Sequence, residues 1–176
     1  LDLTVSTETV SRSADSGWAA IQAENGSIRI SGTEPSINVN IYGLGAAGDW
    51  AILPEFTINA LYAENGLVTA DGTSWTADMV NLTYAGFANL VYDIGKMLSD
   101  DGRLFQVRFT KLGDSPLKDY ASTDNQKAAV DSLWTVTSAP QNISPAMMEF
   151  LNAVGNAQAA GDAGTIQSAL SFYAGS

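Results

Sequence analysis

The sequence has no cysteine and no histidine among its 176 residues, and only 8 lysines and arginines stand against 19 aspartates and glutamates. Without a thiol or an imidazole there is no thiolate nucleophile, no Ser-His-Asp triad, no zinc site of the usual nitrogen and sulfur ligands, no haem ligation and no imidazole pH switch. The lack of cysteine is compatible with oxidising and reducing compartments alike. Apolar runs fall well short of the roughly 18 residues that a spanning helix requires, so no membrane insertion is expected. No basic-then-apolar leader opens the chain. Leu1 rather than Met stands first, as expected of a chain trimmed, matured by proteolysis or given without its leader.

Positive charge is scarce and unevenly placed. Residues 1–95 hold only Arg12 and Arg29 against eleven carboxylates, and residues 128–176 hold three acids and no cation. The remaining six cations fall between Lys96 and Lys127. A phosphate backbone or an anionic membrane surface demands clustered Lys and Arg, so direct nucleic-acid binding is not expected. Charged residues make up 15% of the chain, against a typical value of about 25%. Ser, Thr, Asn and Gly supply the polarity instead, which gives a polar but weakly charged surface.

The first half alternates with period two. Leu1, Leu3 and Val5 alternate with Asp2, Thr4 and Ser6, and the pattern recurs at Ile28 and Ile30 and at Ile37, Val39 and Ile41. Such alternation of β-branched residues predicts half-buried strands. Further strands are predicted over Phe56 to Tyr62 and Arg103 to Phe109. Asn25-Gly26 and Asn65-Gly66 have the residues of a type I′ turn and predict two tight hairpins. Ala23-Glu24-Asn25-Gly26 recurs as Ala63-Glu64-Asn65-Gly66, and Gly32-Thr33 recurs as Gly72-Thr73 at the same offset. The preferred reading is two hairpins that share turn chemistry, and the other is a duplicated supersecondary unit.

The second half shifts to helical spacing. Phe87, Leu90, Val91, Ile94 and Leu98 predict a helix ended by Asp101-Gly102. Thr123 and Gln126 have the form of a capping box ahead of Ala129, Val130, Leu133 and Trp134. Ser144-Pro145 supplies an N-cap and a first-turn proline, and Ile166, Ala169, Leu170 and Tyr173 mark a last helix. Strands first and helices later predict an α+β fold: an N-terminal antiparallel β-rich half, sheet or sandwich, followed by several short to medium helices, in a single domain over residues 1–176.

Several segments spell chemistry. Gly43-Leu44-Gly45-Ala46-Ala47-Gly48 has the letters of a dinucleotide fingerprint, but Pro54 follows too soon for the helix that would receive a phosphate, and it is read as a loop. Glycoside hydrolysis needs only two carboxyl groups, and Asp49 with Glu55, or Glu64 with Asp71, are the acids that flank tryptophans. Scattered solvated acids are the preferred reading. Asp100-Asp101-Gly102 lacks the spaced ligands of a calcium loop. No catalytic residue, cofactor or metal is assigned. Trp50 and Trp75 are the candidate ligand or interface aromatics. The strand predicted over Leu1 to Val10 has Leu1, Leu3 and Val5 on one face, and residues 1–17 are a candidate strand-exchanging arm with those three as assembly contacts. Its alternative is an ordinary edge strand in its own sheet.

Together these features predict a non-enzymatic structural subunit that assembles with copies of itself, as a viral or phage virion coat protein. The alternatives are a subunit of an extracellular filament or pilus, a secreted carbohydrate-binding module, and a hydrolase acting through paired carboxylates. The expected location is the virion or the extracellular space.

Overall fold

In a computed structural model of the protein, residues 1–5, 7–14, 18–31, 36–42, 55–139 and 142–175 are described. They cluster into two compact units. The first takes in the described parts of Leu1–Gly43 with Glu55–Tyr84 and Ile94–Phe109; the second takes in Ala85–Asp93 and the described parts of Thr110–Ser176.

Short β-branched runs separated by turn residues make the first unit a winding of successive coils. The first coil comprises β1 (Asp2–Thr4), helix α1 (Thr7–Ala14), β2 (Ile21–Ala23) and β3 (Ile28–Ile30). Next come β4 (Ile37–Tyr42), β5 (Glu55–Ala63) and β6 (Leu67–Thr69). Each second-coil strand lies parallel to its first-coil counterpart: Asp2 is in register with Asn40, Ile21 with Leu61 and Ile28 with Leu67. β7 (Val80–Thr83) continues the winding by pairing parallel to β4, with Ile37 opposite Val80.

The third position of the middle sheet is filled differently. β8 (Tyr92–Leu98) and β9 (Leu104–Lys111) are joined by a short turn at 99–103, a connection only antiparallel neighbours can use, and the sheet order is β2-β5-β9-β8. Phe56 stacks on Phe109 with ring centroids 4.6 Å apart, while Ala63 N–H donates to Arg103 O at 2.9 Å. The start of β5 thus meets the end of β9, and these two strands run antiparallel.

These observations overturn the expected antiparallel β half followed by helices. The fold is mixed α/β, with three sheets and with helices interleaved among the strands. Period-two alternation marks a pleated strand without specifying the direction of its partner. Asn-Gly supplies a positive φ, which a corner between coils uses as readily as a hairpin does. Neither dipeptide closes a hairpin: β2 pairs with β5, and β3 with β6.

The recurring tetrapeptide marks one coil of the winding. Ala23 lies opposite Ala63, Glu64 N–H donates to Ala23 O at 3.0 Å, and Asn65 N–H donates to Gly26 O at 2.9 Å. The turn at 99–103 forms the next layer, with Leu67 N–H donating to Gly102 O at 2.8 Å. At this level the turn between β8 and β9 stands where a third corner would, and the sequence carries only two copies of the tetrapeptide.

Two further expectations change. The strand over Leu1 to Val10 is confined to Asp2–Thr4, and α1 starts at Thr7. The helix over Phe87 to Leu98 is α2 (Ala88–Val91) alone, with β8 beginning at Tyr92. Apolar residues at 90, 91, 94 and 98 have helical spacing, but Tyr92 and Ile94 also alternate with period two, and Gly95 adds no helix propensity. The neighbouring β9 supplies the backbone partners that favour the strand.

In the first unit Leu3, Val39, Ile58, Leu61, Phe105 and Val107 are among the buried apolar side chains. Asn59, like Thr69, is a buried polar residue among them, at 6% exposure. Its Nδ2 donates to Ser13 O at 3.1 Å and Trp18 O at 2.9 Å, and its Oδ1 accepts from Gln106 Nε2 at 2.8 Å. Its main-chain N–H donates to Ser13 Oγ at 3.0 Å. One amide thus holds the end of α1 and the approach to β2 against β5 and β9, with its hydrogen-bonding capacity met as burial requires.

In the second unit α3 (Asp124–Thr137) begins at the expected capping box, with Gln126 N–H donating to Thr123 Oγ1 and Thr123 N–H to Gln126 Oε1. α4 (Pro145–Ala160) starts at Ser144, whose Oγ accepts from Met147 N–H, and α5 (Ala163–Ala174) at Asp162. Leu133, Leu151, Val154, Ile166 and Leu170 form the buried stripes. Gly155 of α4 is a point of close contact: a Cβ there would strike Gly86 O, and one on Gly86 would strike Asn152 O. Asn152 Oδ1 accepts from Phe87 N–H at 2.9 Å, which fixes the approach to α2.

Candidate functional site

The candidate assembly residues Leu1, Leu3 and Val5 lie in and beside β1. Leu3 and Val5 are buried and Leu1 is half-buried. Asn40 N–H donates to Leu1 O at 2.7 Å and Val5 N–H to Tyr42 O at 2.8 Å. A strand residue directs its own N–H and C=O to one side, and the side alternates along the chain. The main-chain groups of Leu1, Leu3 and Val5 therefore point at β4, and those of Asp2 and Thr4 point away from it. β1 is the terminal strand of the sheet β1-β4-β7 in its own chain.

β2 and β3 are terminal strands too, so the first coil ends all three sheets on one side. Ile21 of β2 is 42% exposed there. The opposite edge of the β3-β6 sheet is treated differently. Residues 70–75 fold back along β6, with Thr69 N–H donating to Thr73 O at 2.7 Å and Trp75 N–H to Leu67 O at 3.0 Å. Asp71 anchors that return. Its carboxylate accepts from the Thr69 hydroxyl, the Thr73 hydroxyl and the Thr73 N–H, and these bonds hold its pKa down at about 2.

The outer surface of the β1-β4-β7 sheet carries amide side chains in rows. Asn40 Nδ2 donates to Asp2 Oδ1 at 2.9 Å, and Asn81 Nδ2 to Asn38 Oδ1 at 3.3 Å. Beside the stacked corners, Glu24, Glu64, Asp100 and Asp101 are exposed. Glu64 Oε2 accepts from Asn25 N–H at 2.8 Å. Asp101 is held below the usual carboxylate range by the Ser99 hydroxyl and then by the Arg103 N–H. Among the described residues no group of three or more acids is arranged to hold a metal ion.

Trp50, Asp49 and the glycine-rich run at 43–48 lie outside the described residues. Trp75 is 2% exposed, and its Nε1–H donates to Val68 O at 2.7 Å, so its ring packs in the core of the first unit and presents no stacking face. Of the acids beside tryptophans, Glu55 is paired with Arg108, Glu64 is bonded to the neighbouring corner, and Asp71 is fully ionised at neutral pH. A general acid requires a raised pKa, the opposite of what the Asp71 turn produces.

The second unit holds an open groove of about 340 Å³ lined by Lys118, Ala121, Lys127, Val130 and Asp131. Lys118 is already paired with Asp114, and Lys127 lies 3.9 Å from Asp124. These carboxylates cancel the charge that would attract an anion. Among the described residues no helix is long and apolar enough to cross a membrane. What sequence reasoning missed is the edge itself, because β2 and β3 become sheet termini only through parallel pairing between successive coils; the recurrence at a constant offset, in the tetrapeptide and in Gly32-Thr33 with Gly72-Thr73, was the signal of it. The chain matches no protein-family model, no curated protein and no solved structure.

Proposed function

We propose that this chain is a non-enzymatic structural subunit that assembles with copies of itself as a component of a virion. The observation that carries the reading is the first-coil edge, where β1, β2 and β3 each terminate a sheet on the same side. Main-chain groups on such an edge are a template for strand addition. Stacking first-coil edge onto last-coil edge does not continue the β3-β6 sheet, because residues 73–75 already bond along β6. The first-coil edge therefore meets its own kind about a two-fold axis, a self-complementary contact that closes. A weakly charged surface with 15% charged residues keeps repulsion between copies small.

The test is Asp2→Pro. Asp2 directs its N–H away from β4, so proline removes an outward donor and places a ring on the edge while the β1–β4 bonds stay intact. Asp2→Asn, which retains a partner for Asn40, is the control. Light scattering across a concentration series should show dimers or larger species for the parent chain and for Asp2→Asn. The proline variant should need at least about tenfold more protein to reach the same size, the equivalent of about 1.4 kcal/mol. A parent chain that stays monomeric throughout refutes the proposal, and equal assembly of the proline variant removes β1 from the contact.

A further inference from the structure

The two copies of Ala-Glu-Asn-Gly fold differently, and the difference exposes one of them to chemistry. In the second coil Gly66 takes φ of 98°, and its N–H donates to Ala63 O at 3.0 Å, closing the turn. In the first coil the positive φ moves to Asn25, at 61°. The equivalent carbonyl, Ala23 O, accepts from Glu64 N–H at 3.0 Å, and Gly26 N–H, although it closes a turn over Glu24 and Asn25, makes no bond there as short and straight as that of Gly66. Gly66 is also covered by the next layer, with Gly102 O 3.9 Å from where its Cβ would stand, whereas nothing lies within 4 Å of the same point on Gly26.

We infer that Asn25-Gly26 is a site of spontaneous covalent modification and that Asn65-Gly66 is protected from it. The main-chain nitrogen of Gly26 attacks Cγ of Asn25, forming an N–Cγ bond and breaking the Cγ–Nδ2 bond. The amide nitrogen leaves as ammonia, carrying away the proton that Gly26 N gives up. Water then opens the cyclic imide at either carbonyl, leaving aspartate or isoaspartate at position 25, with no oxidant or reductant involved. Glycine at position 26 permits the attack because no Cβ shields its nitrogen. At Asn65 the same step must first break the Gly66–Ala63 hydrogen bond and displace the layer above.

The products bear on the corner. Either one puts a new carboxylate beside Glu64, whose Oε2 already holds Asn25 N–H at 2.8 Å. Isoaspartate also inserts a methylene into the main chain between Ala23, in register with Ala63, and Gly26, whose carbonyl accepts from Asn65 N–H. Both coil-to-coil contacts cannot survive that insertion unchanged.

The experiment is a time course of the folded protein in mildly alkaline buffer, with peptide mapping by mass spectrometry that resolves aspartate from isoaspartate. A parallel course in concentrated urea removes the structural difference. Conversion, a gain of about 1 Da per site, should be faster at Asn25 than at Asn65 in the folded protein. The expected ratio is about five- to tenfold, the effect of one hydrogen bond that must be surrendered. In urea the two sites should convert alike. Gly26→Ala has room for its methyl group and a negative φ, so it should fold and slow the loss of Asn25. Equal rates in the folded protein, faster loss at Asn65, no loss at Asn25, or an unchanged rate in Gly26→Ala would each overturn the inference.

Discussion

Replacing Asn59 by alanine is the sharpest probe of how the first unit is held together. The side chain is 6% exposed and makes three hydrogen bonds, two donated to Ser13 O and Trp18 O and one accepted from Gln106 Nε2. Truncation leaves two carbonyls without their donor and one amide without its acceptor, inside packed structure. A net value of about 1 kcal/mol per bond, with a further contribution from the polar groups left unpaired, gives an expected loss of about 3 to 5 kcal/mol. That is a large share of a domain's usual stability, which is on the order of 10 kcal/mol. Urea denaturation followed by circular dichroism reads the change as a lowered midpoint at constant slope. Hydrogen exchange should show protection lost first over α1, because Ser13 and Trp18 are tied to β5 through this amide. A loss below about 1 kcal/mol would mean that water replaces the partners, and the buried-anchor reasoning would fail.

Gly155→Ala should destabilise the second unit by about 1 to 3 kcal/mol or more through overpacking, since the added methyl meets main-chain oxygen that cannot swing aside; Gly113→Ala, with open space around it, should cost far less, and thermal melts of the two variants compare them directly. Asp71 has its pKa lowered from 3.8 to about 2 in the folded protein. The unfolded chain therefore binds more protons over that range, and the carboxylate's stabilising contribution, complete above about 4, disappears as pH falls toward 2. Carboxyl NMR should place the Asp71 titration near 2, and Asp71→Asn should flatten the pH dependence of stability within that window. A titration near 3.8 would contradict the Thr69 and Thr73 bonding.

The helical second half was legible because its signals are local. Thr123 and Gln126 form their box, Ser144 caps α4, and Leu133, Leu151, Ile166 and Leu170 are buried where the spacing puts them. Caps and i, i+4 stripes are made within a few residues, so no distant partner is needed to read them. Residues 88–98 failed for the complementary reason. Their apolar spacing satisfies helix and strand alike, and the choice fell to β9, whose backbone donors and acceptors lie in another part of the chain.

The winding of the first unit was written in the sequence as the recurring tetrapeptide, yet it could not be interpreted there. Composition by itself removed cysteine and histidine chemistry, and turn residues located the corners at Asn25-Gly26, Asn65-Gly66 and Asp101-Gly102. Only the tertiary structure decided that those corners stack, that β1, β2 and β3 pair parallel with the strands one coil further along the chain, and that identical tetrapeptides take unlike turns. Strand direction and turn type depend on which backbone groups lie opposite. Those groups come from a different coil, distant in sequence and beyond the reach of any local pattern.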